Sequence, residues 1–255
     1  MNLVAMLGLG ALGLPVGSFL NVVIDRVPDR LPLRGRVEGE ACAPEEIISV
    51  PFQPWLLRSR RDDVRQLPRR WLWVELVTIL AFAVIGARFG DEATALPLLV
   101  LAASLVAVSV IDLRLLRIPD RVTFPTLAVS LPLLLVVALA DGEGSRFNGA
   151  LIGAGVYFMV LFIPHLIYPR GMGFGDVKLA LVMGLHLGWL GWTDDYPVLG
   201  PVRFVLYALM LGCALGVVFG LVSAAVKRRR GEFPFGPALA LACVVVALYT
   251  PELRL

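Results

Sequence analysis

The sequence predicts an all-α, polytopic membrane protein of about eight transmembrane helices with a small cytoplasmic loop domain, and three observations carry that prediction. Of the 255 residues, 58% are hydrophobic and only 17% charged, with a mean hydropathy of +0.81, whereas soluble domains are about half apolar and about a quarter charged. Apolar windows of about twenty residues, the length that crosses ~30 Å of hydrocarbon as a helix, recur along the whole chain. The basic residues between those windows segregate to alternate turns, as they do when one side of a membrane retains them. The 18 prolines and 25 glycines argue against a bundle of long uninterrupted helices, because such residues break, kink or cap them. Chemistry is therefore expected at helix ends and in loops.

The windows run approximately over 3–24, 71–89, 94–111, 121–140, 148–168, 177–192, 203–226 and 235–250. The first has no Lys or Arg ahead of it and no small-residue cleavage site, and Arg26, Arg30, Arg34 and Arg36 follow it. It reads as a retained span with its amino terminus outside. The sixth and eighth windows are short, which suits spans that are tilted, covered by neighbours or partly re-entrant. Three parts follow: a first helix (1–24), a cytoplasmic loop or cap (25–70), and a membrane catalytic domain (71–255) with about seven further helices.

Alternating the spans from an outside amino terminus places the loop 25–70 and the turns near 112–120, 169–176 and 227–234 in the cytoplasm. Of the 23 Lys and Arg residues, only Arg88, Arg146, Arg203 and Arg254 then fall outside, and both termini are expected on the outer side. The basic residues are thus topology signals, and nucleic acid is not expected as a partner; membrane lipids are. Trp71, Trp73, Trp189 and Trp192 fall at window boundaries and are expected in the interfacial belts. Cys42, Cys213 and Cys243, with His165 and His186 as the only imidazoles, cannot assemble a zinc site of the paired-CxxC kind, so no metal is expected. The two histidines are expected to make ordinary helix contacts, and Asp120 to cap the start of the fourth span.

A charged residue flush with the end of an apolar span is costly to hold there and is a functional candidate by default. Asp112 closes the third span in VSVIDLRLLRIPD and Asp176 opens the sixth in PRGMGFGDVKLA, both at the same predicted membrane edge. Two facing carboxylates tend to share one proton, one serving as base and the other as acid, which is what water-mediated peptide hydrolysis without a metal or a covalent intermediate requires. Gly171, Gly173 and Gly175 alternate ahead of Asp176. In an extended segment they would leave one face bare, where a substrate backbone could pair by strand addition. Glu75, near the start of the second span, is a secondary candidate for holding a substrate amine. Lys178 could stabilise an ionised Asp176 or snorkel to the surface.

These residues resemble those of the type IV prepilin peptidases, membrane aspartyl proteases with a GxGD motif. GFGDVKLA (173–180) is similar to the family's second aspartate motif and IDLRLLRIPD (111–120) to its first. GSFLNVVIDRVP (17–28), VELVT (74–78) and FPFGPALA (233–240) are similar to its opening, second-span and closing segments, so the resemblance runs the whole chain in order. It implies Asp112 and Asp176 as the catalytic pair, shaped by Gly173 and Gly175. It also implies a bacterial inner membrane, an active site facing the cytoplasm, and prepilin or pseudopilin substrates whose basic leader is cut off. In many members S-adenosylmethionine then methylates the new amino terminus. Many members also carry two CxxC pairs in the first cytoplasmic loop, where this chain has Cys42 alone; zinc is not expected, and the expectation of methyl transfer weakens with it. The alternative is a transporter or proton/cation channel using the same two aspartates, against which their placement at span ends beside Arg-rich turns argues.

Overall fold

A computed structural model describes residues 2–30, 69–90, 92–169, 172–227 and 234–249. Among the described residues there are eight helices and no strand: α1 (Leu3–Arg26), α2 (Arg69–Phe89), α3 (Ala95–Leu115), α4 (Asp120–Ala140), α5 (Gly144–Ile167), α6 (Phe174–Gly191), α7 (Leu199–Lys227) and α8 (Gly236–Leu248). Six of them, α1 to α5 and α7, are long and apolar enough to cross a membrane; α6 and the 13-residue α8 are not among the six. The protein is an all-α polytopic membrane protein. Pro15, Pro125, Pro132 and Pro164 all lie inside continuous helices, so proline interrupts the spans less than its number suggested. Side chains and neighbouring helices in a membrane bundle can satisfy the backbone groups that a proline frees.

The chain divides into two compact units, residues 1–95 and 96–255. The first is the α1–α2 hairpin. Asn2 caps α1, its side-chain oxygen accepting from the Ala5 N–H at 3.1 Å. The two helices approach until the backbones nearly touch: a Cβ on Gly13 would stand 2.7 Å from Ile79 Cα. This is how small residues let membrane helices pack where lipid supplies no hydrophobic drive between them. Two polar bonds cross the seam. The Ser18 hydroxyl donates to Glu75 Oε1 at 2.7 Å, and Asn21 Nδ2 donates to the Trp71 carbonyl at 3.2 Å. Near the hairpin's end Arg70 pairs with Asp25 at 2.7 Å, both side chains about a third exposed, a geometry that contributes at most about 1 kcal/mol.

In the second unit α6 is the interior element: Val177, Leu179, Ala180 and the run Val182–Gly191 are all buried. This is the covered alternative anticipated for the sixth window. Antiparallel α5 packs on it through glycines, and a Cβ on Gly153 would stand 2.5 Å from Gly188 Cα. Trp189 and Trp192 are buried, 1% and 8% exposed, rather than interfacial: Arg146 lies over the Trp189 ring at 4.4 Å, and Gly149 makes room for Trp192. Of the expected belt residues, Trp73 does face outward. His186 is fully enclosed on α6 and lies 2.8 Å from the Val182 carbonyl and 3.2 Å from that of Pro97, an ordinary packing role. Large apolar side chains such as Val136, Leu139, Ile163, Met210 and Leu221 point outward, as lipid-facing surfaces do.

Candidate active site

Asp112 sits three residues before the end of α3 and is buried. Placing it there has a physical reason: a carboxylate at mid-span costs about 3 kcal/mol on insertion scales, and the last turn of the helix avoids most of that. The chain then reverses. Leu116 adopts a left-handed conformation, φ 53°, with its N–H on the Asp112 carbonyl at 2.9 Å; the conformation costs a non-glycine residue about 1–2 kcal/mol and ends the helix in the manner of a C′ cap. It leads into Ile118 and Pro119, where α4 begins.

Asp176 lies in the first turn of α6, half-buried, its N–H donating to the Gly173 carbonyl at 3.1 Å. Gly175, next to Asp176 in the chain, and Gly236, against Asp112, both close on Ile118, so the two carboxylates singled out 64 residues apart in the sequence lie in one region of the fold. The extended run expected through Gly175 is shorter than its spacing suggested. Gly173 is extended (φ −66°, ψ 137°) and caps the helix, while Phe174 and Gly175 are already helical. Gly175 is there for packing, since a Cβ on it would stand 2.8 Å from Ile118 Cβ. Gly171 lies outside the described residues.

The third contributor comes from the far end of the chain. The Gly236 N–H donates to Asp112 Oδ2 at 3.0 Å, a buried bond. The first N–H groups of a helix lack intrahelical partners. Pro237 has none to satisfy, the N-cap residue Phe235 has no side-chain acceptor, and Asp112 takes the capping place. Approach is tight: a Cβ on Gly236 would stand 2.9 Å from Asp112 Oδ2 and 3.4 Å from Ile118 Cδ1. Ile118 is therefore the common wall for Gly175 and Gly236, and the three segments IDLRLLRIPD, GFGD and FPFGPALA converge on it. Sequence reasoning alone missed the role of Gly236, although a signal for it is present: a helix start reading Phe-Pro-Phe-Gly-Pro offers no capping side chain of its own.

The remaining candidates divide. Lys178 forms an ion pair with Asp120 and lies 5.7 Å from the Phe124 ring and 5.1 Å from the Phe174 ring. It thus ties the start of α6 to the start of α4, and Asp120 serves this pair instead of the capping role expected of it; the N-cap position of α4 is Pro119. Glu75 belongs to the first unit, bonded to Ser18. His165, expected only to make helix contacts, has a more particular place. Its Nδ1 lies 2.9 Å from the Met172 carbonyl, and its ring packs on Phe174 at 5.2 Å, so it pins the segment that leads into Asp176. His165→Leu is expected to slow the reaction about tenfold, and His165→Asn, which keeps a donor near Nδ1, to recover most of the rate; equal rates for both variants in a cleavage assay would contradict that role.

A family model described as the type IV leader peptidase family matches residues 99–221, a stretch that includes both aspartates. The chain is 31% identical over 244 residues to the prepilin leader peptidase/N-methyltransferase of Bacillus subtilis (strain 168), covering 93% of this chain and 91% of that protein. The chain belongs to the type IV leader peptidase family. A second member, the type 4 prepilin-like proteins leader peptide-processing enzyme of Escherichia coli O78:H11, is 30% identical over 257 residues, covering 90% of this chain and 88% of its own. A third, the prepilin leader peptidase/N-methyltransferase of Burkholderia pseudomallei (strain 1026b), is 32% identical, with 90% and 80% covered. No solved structure matches the chain. The family match takes in Asp112, Ile118 and Asp176 but ends before Gly236, which the fold brings to Asp112.

Proposed function

We propose that this protein is an intramembrane aspartyl endopeptidase that removes the basic leader of type IV prepilins and pseudopilins at the cytoplasmic face of a bacterial inner membrane. The observation that carries the reading is the placement of Asp112 at the end of α3 and Asp176 at the start of α6, with Gly236 donating to Asp112 and Ile118 as the wall common to Gly175 and Gly236. A water between the carboxyls loses a proton to the ionised member as its oxygen attacks the scissile carbonyl. The protonated member gives its proton to the carbonyl oxygen, and collapse of the tetrahedral intermediate expels the amine, which takes up a proton. The macroscopic proton equilibrium belongs to the pair. The cytoplasmic assignment rests on the distribution of Arg and Lys among the turns, which also puts both termini outside.

Gly173, exposed and extended ahead of Asp176, is the point where unwound substrate comes closest, with Gly171 in the same segment. Glu75, in the first unit, is a separate candidate for holding a substrate amine. Lys178, committed to Asp120, supports the frame of the site. Pairing along the segment is limited because the Met172 and Gly173 carbonyls already accept from His165 and from the Asp176 N–H. No step passes through zinc or S-adenosylmethionine. The first loop has a single cysteine.

The test is incubation of the purified protein with a prepilin, followed by mass measurement of the product. A product shorter by its leader, with a new amino terminus at the start of the apolar segment, is the expected result; an uncleaved substrate would overturn the reading. A further methyl mass in the presence of S-adenosylmethionine reads out the second activity named for the relatives.

A further inference from the structure

The start of α6 is attached to the α3–α4 connection at two places. At the first, Gly175 lies against Ile118, where a Cβ on the glycine would stand 2.8 Å from Ile118 Cβ. The second is built from two pairs of residues spaced four apart, so that each pair shares one face of its helix: Asp120 and Phe124 at the start of α4, Phe174 and Lys178 at the start of α6. Lys178 Nζ pairs with the Asp120 carboxylate while lying 5.7 Å from the Phe124 ring and 5.1 Å from the Phe174 ring, within the ~6 Å over which an aromatic face attracts an ammonium. The Lys178 side chain is 18% exposed against 54% for Asp120, so the ammonium is the enclosed member of the pair. Phe174 is held in turn by the His165 ring at 5.2 Å and the Phe162 ring at 6.4 Å.

An ion pair with a half-exposed member contributes little to stability; what this one supplies is geometry. The Gly175 contact alone would leave α6 free to turn about its axis. A second contact at Lys178, three residues on and on the same side of the helix, removes that freedom. Asp176 lies between the two contacts in the chain, about 100° around the helix from Gly175, so the direction of its carboxyl follows the rotation they set. We propose that Lys178 is a positioning residue for Asp176: its pair with Asp120, set between Phe124 and Phe174, fixes the rotation of the first turn of α6 relative to the segment that carries Asp112 and Ile118. The inference rests on the aspartyl reading of the site. Misplacing a reacting group by near 1 Å costs about 10²-fold, so a rotation too small to disturb the helix is enough to slow the reaction.

Lys178→Gln, Asp120→Asn and the double variant, each as purified full-length protein, separate this role from two others that the same residues could play. Each single variant is expected to lower the cleavage rate at saturating prepilin about tenfold, with KM within twofold of the parent and little change in Tm. The double variant is expected to be no slower than the slower single one, because both changes remove the same interaction. Lys178→Arg, which keeps the charge and stacks on aromatic faces, is expected to recover most of the rate. Parental rates in both single variants would overturn the inference, as would losses that multiply in the double variant or that track a fall in Tm. A loss confined to Lys178→Gln would overturn it in favour of a direct charge effect on Asp176, and a raised KM confined to Asp120→Asn in favour of a contact with the basic leader. Asp120→Asn, at the exposed partner, carries the prediction by itself if Lys178→Gln does not fold. In each of these cases loss of cleavage on replacing Asp112 or Asp176 leaves the aspartyl reading standing, whereas a parent indifferent to both aspartates removes that reading first.

Discussion

Asp112→Asn and Asp176→Asn are each expected to reduce leader cleavage by ~10⁴-fold or more, since each removes one of the two proton-transfer groups and a general acid or base contributes about 10²–10⁴ by itself. Asn matches Asp in shape, keeps an oxygen for the Gly236 N–H at position 112, and carries no charge that has to be held at the end of an apolar span. Membrane insertion and Tm are therefore expected to hold or rise. The pair acts as a unit, so the double variant should cost little beyond either single one. Product mass after extended incubation, compared with that from the parent protein, checks the result; leader removal at the parent's rate by either variant would end the aspartyl mechanism.

Gly236→Ala is expected to lower the cleavage rate by about 10²-fold, the size of loss that a displacement near 1 Å at a reacting group produces. The added Cβ would lie 2.9 Å from Asp112 Oδ2, with Asp112 Cγ and Ile118 Cδ1 each at 3.4 Å. Neither the carboxyl nor the α3–α4 turn can yield without moving the other, because both press on the same glycine. The backbone N–H survives the substitution, so the loss measures position and not the missing bond. Gly155→Ala is the matched control on the same protein: nothing lies within 4 Å of a Cβ there, and replacing helical glycine by alanine stabilises by roughly 1 kcal/mol. Steady-state rates of the two variants, with Tm alongside, distinguish a local effect at the site from general damage to the helices. Equal rates for both would show that Asp112 tolerates displacement.

Much of this arrangement was legible in the chain because the signals were local. Apolar windows marked the positions of the eight described helices, but only six of these are long and apolar enough to cross a membrane; that α6 is covered by its neighbours is a matter of packing, which composition and length do not carry. The aspartates stood out locally, as charges at the ends of apolar runs. Less legible was whatever depended on the partner across a helix seam. The alternation of Gly171, Gly173 and Gly175 suggested a strand, but extended backbone ends at Gly173, and packing against Ile118 accounts for Gly175. Trp189 and Trp192 looked interfacial from their positions and are buried, because Gly149 and Arg146 on α5 receive them. His165 looked incidental, and only the folded α5–α6 turn brings it to Met172.

By itself, then, the sequence determined that the chain is a helical membrane protein with two aspartates at the ends of apolar runs, because hydrophobic length and the cost of an apolar carboxylate are properties of short segments. The tertiary structure alone decided that Asp112 caps α8 across 124 residues, that Lys178 is committed to Asp120, and that Ile118 is the wall shared by Gly175 and Gly236. Contacts of this kind depend on which helix faces meet, and no single segment carries that information.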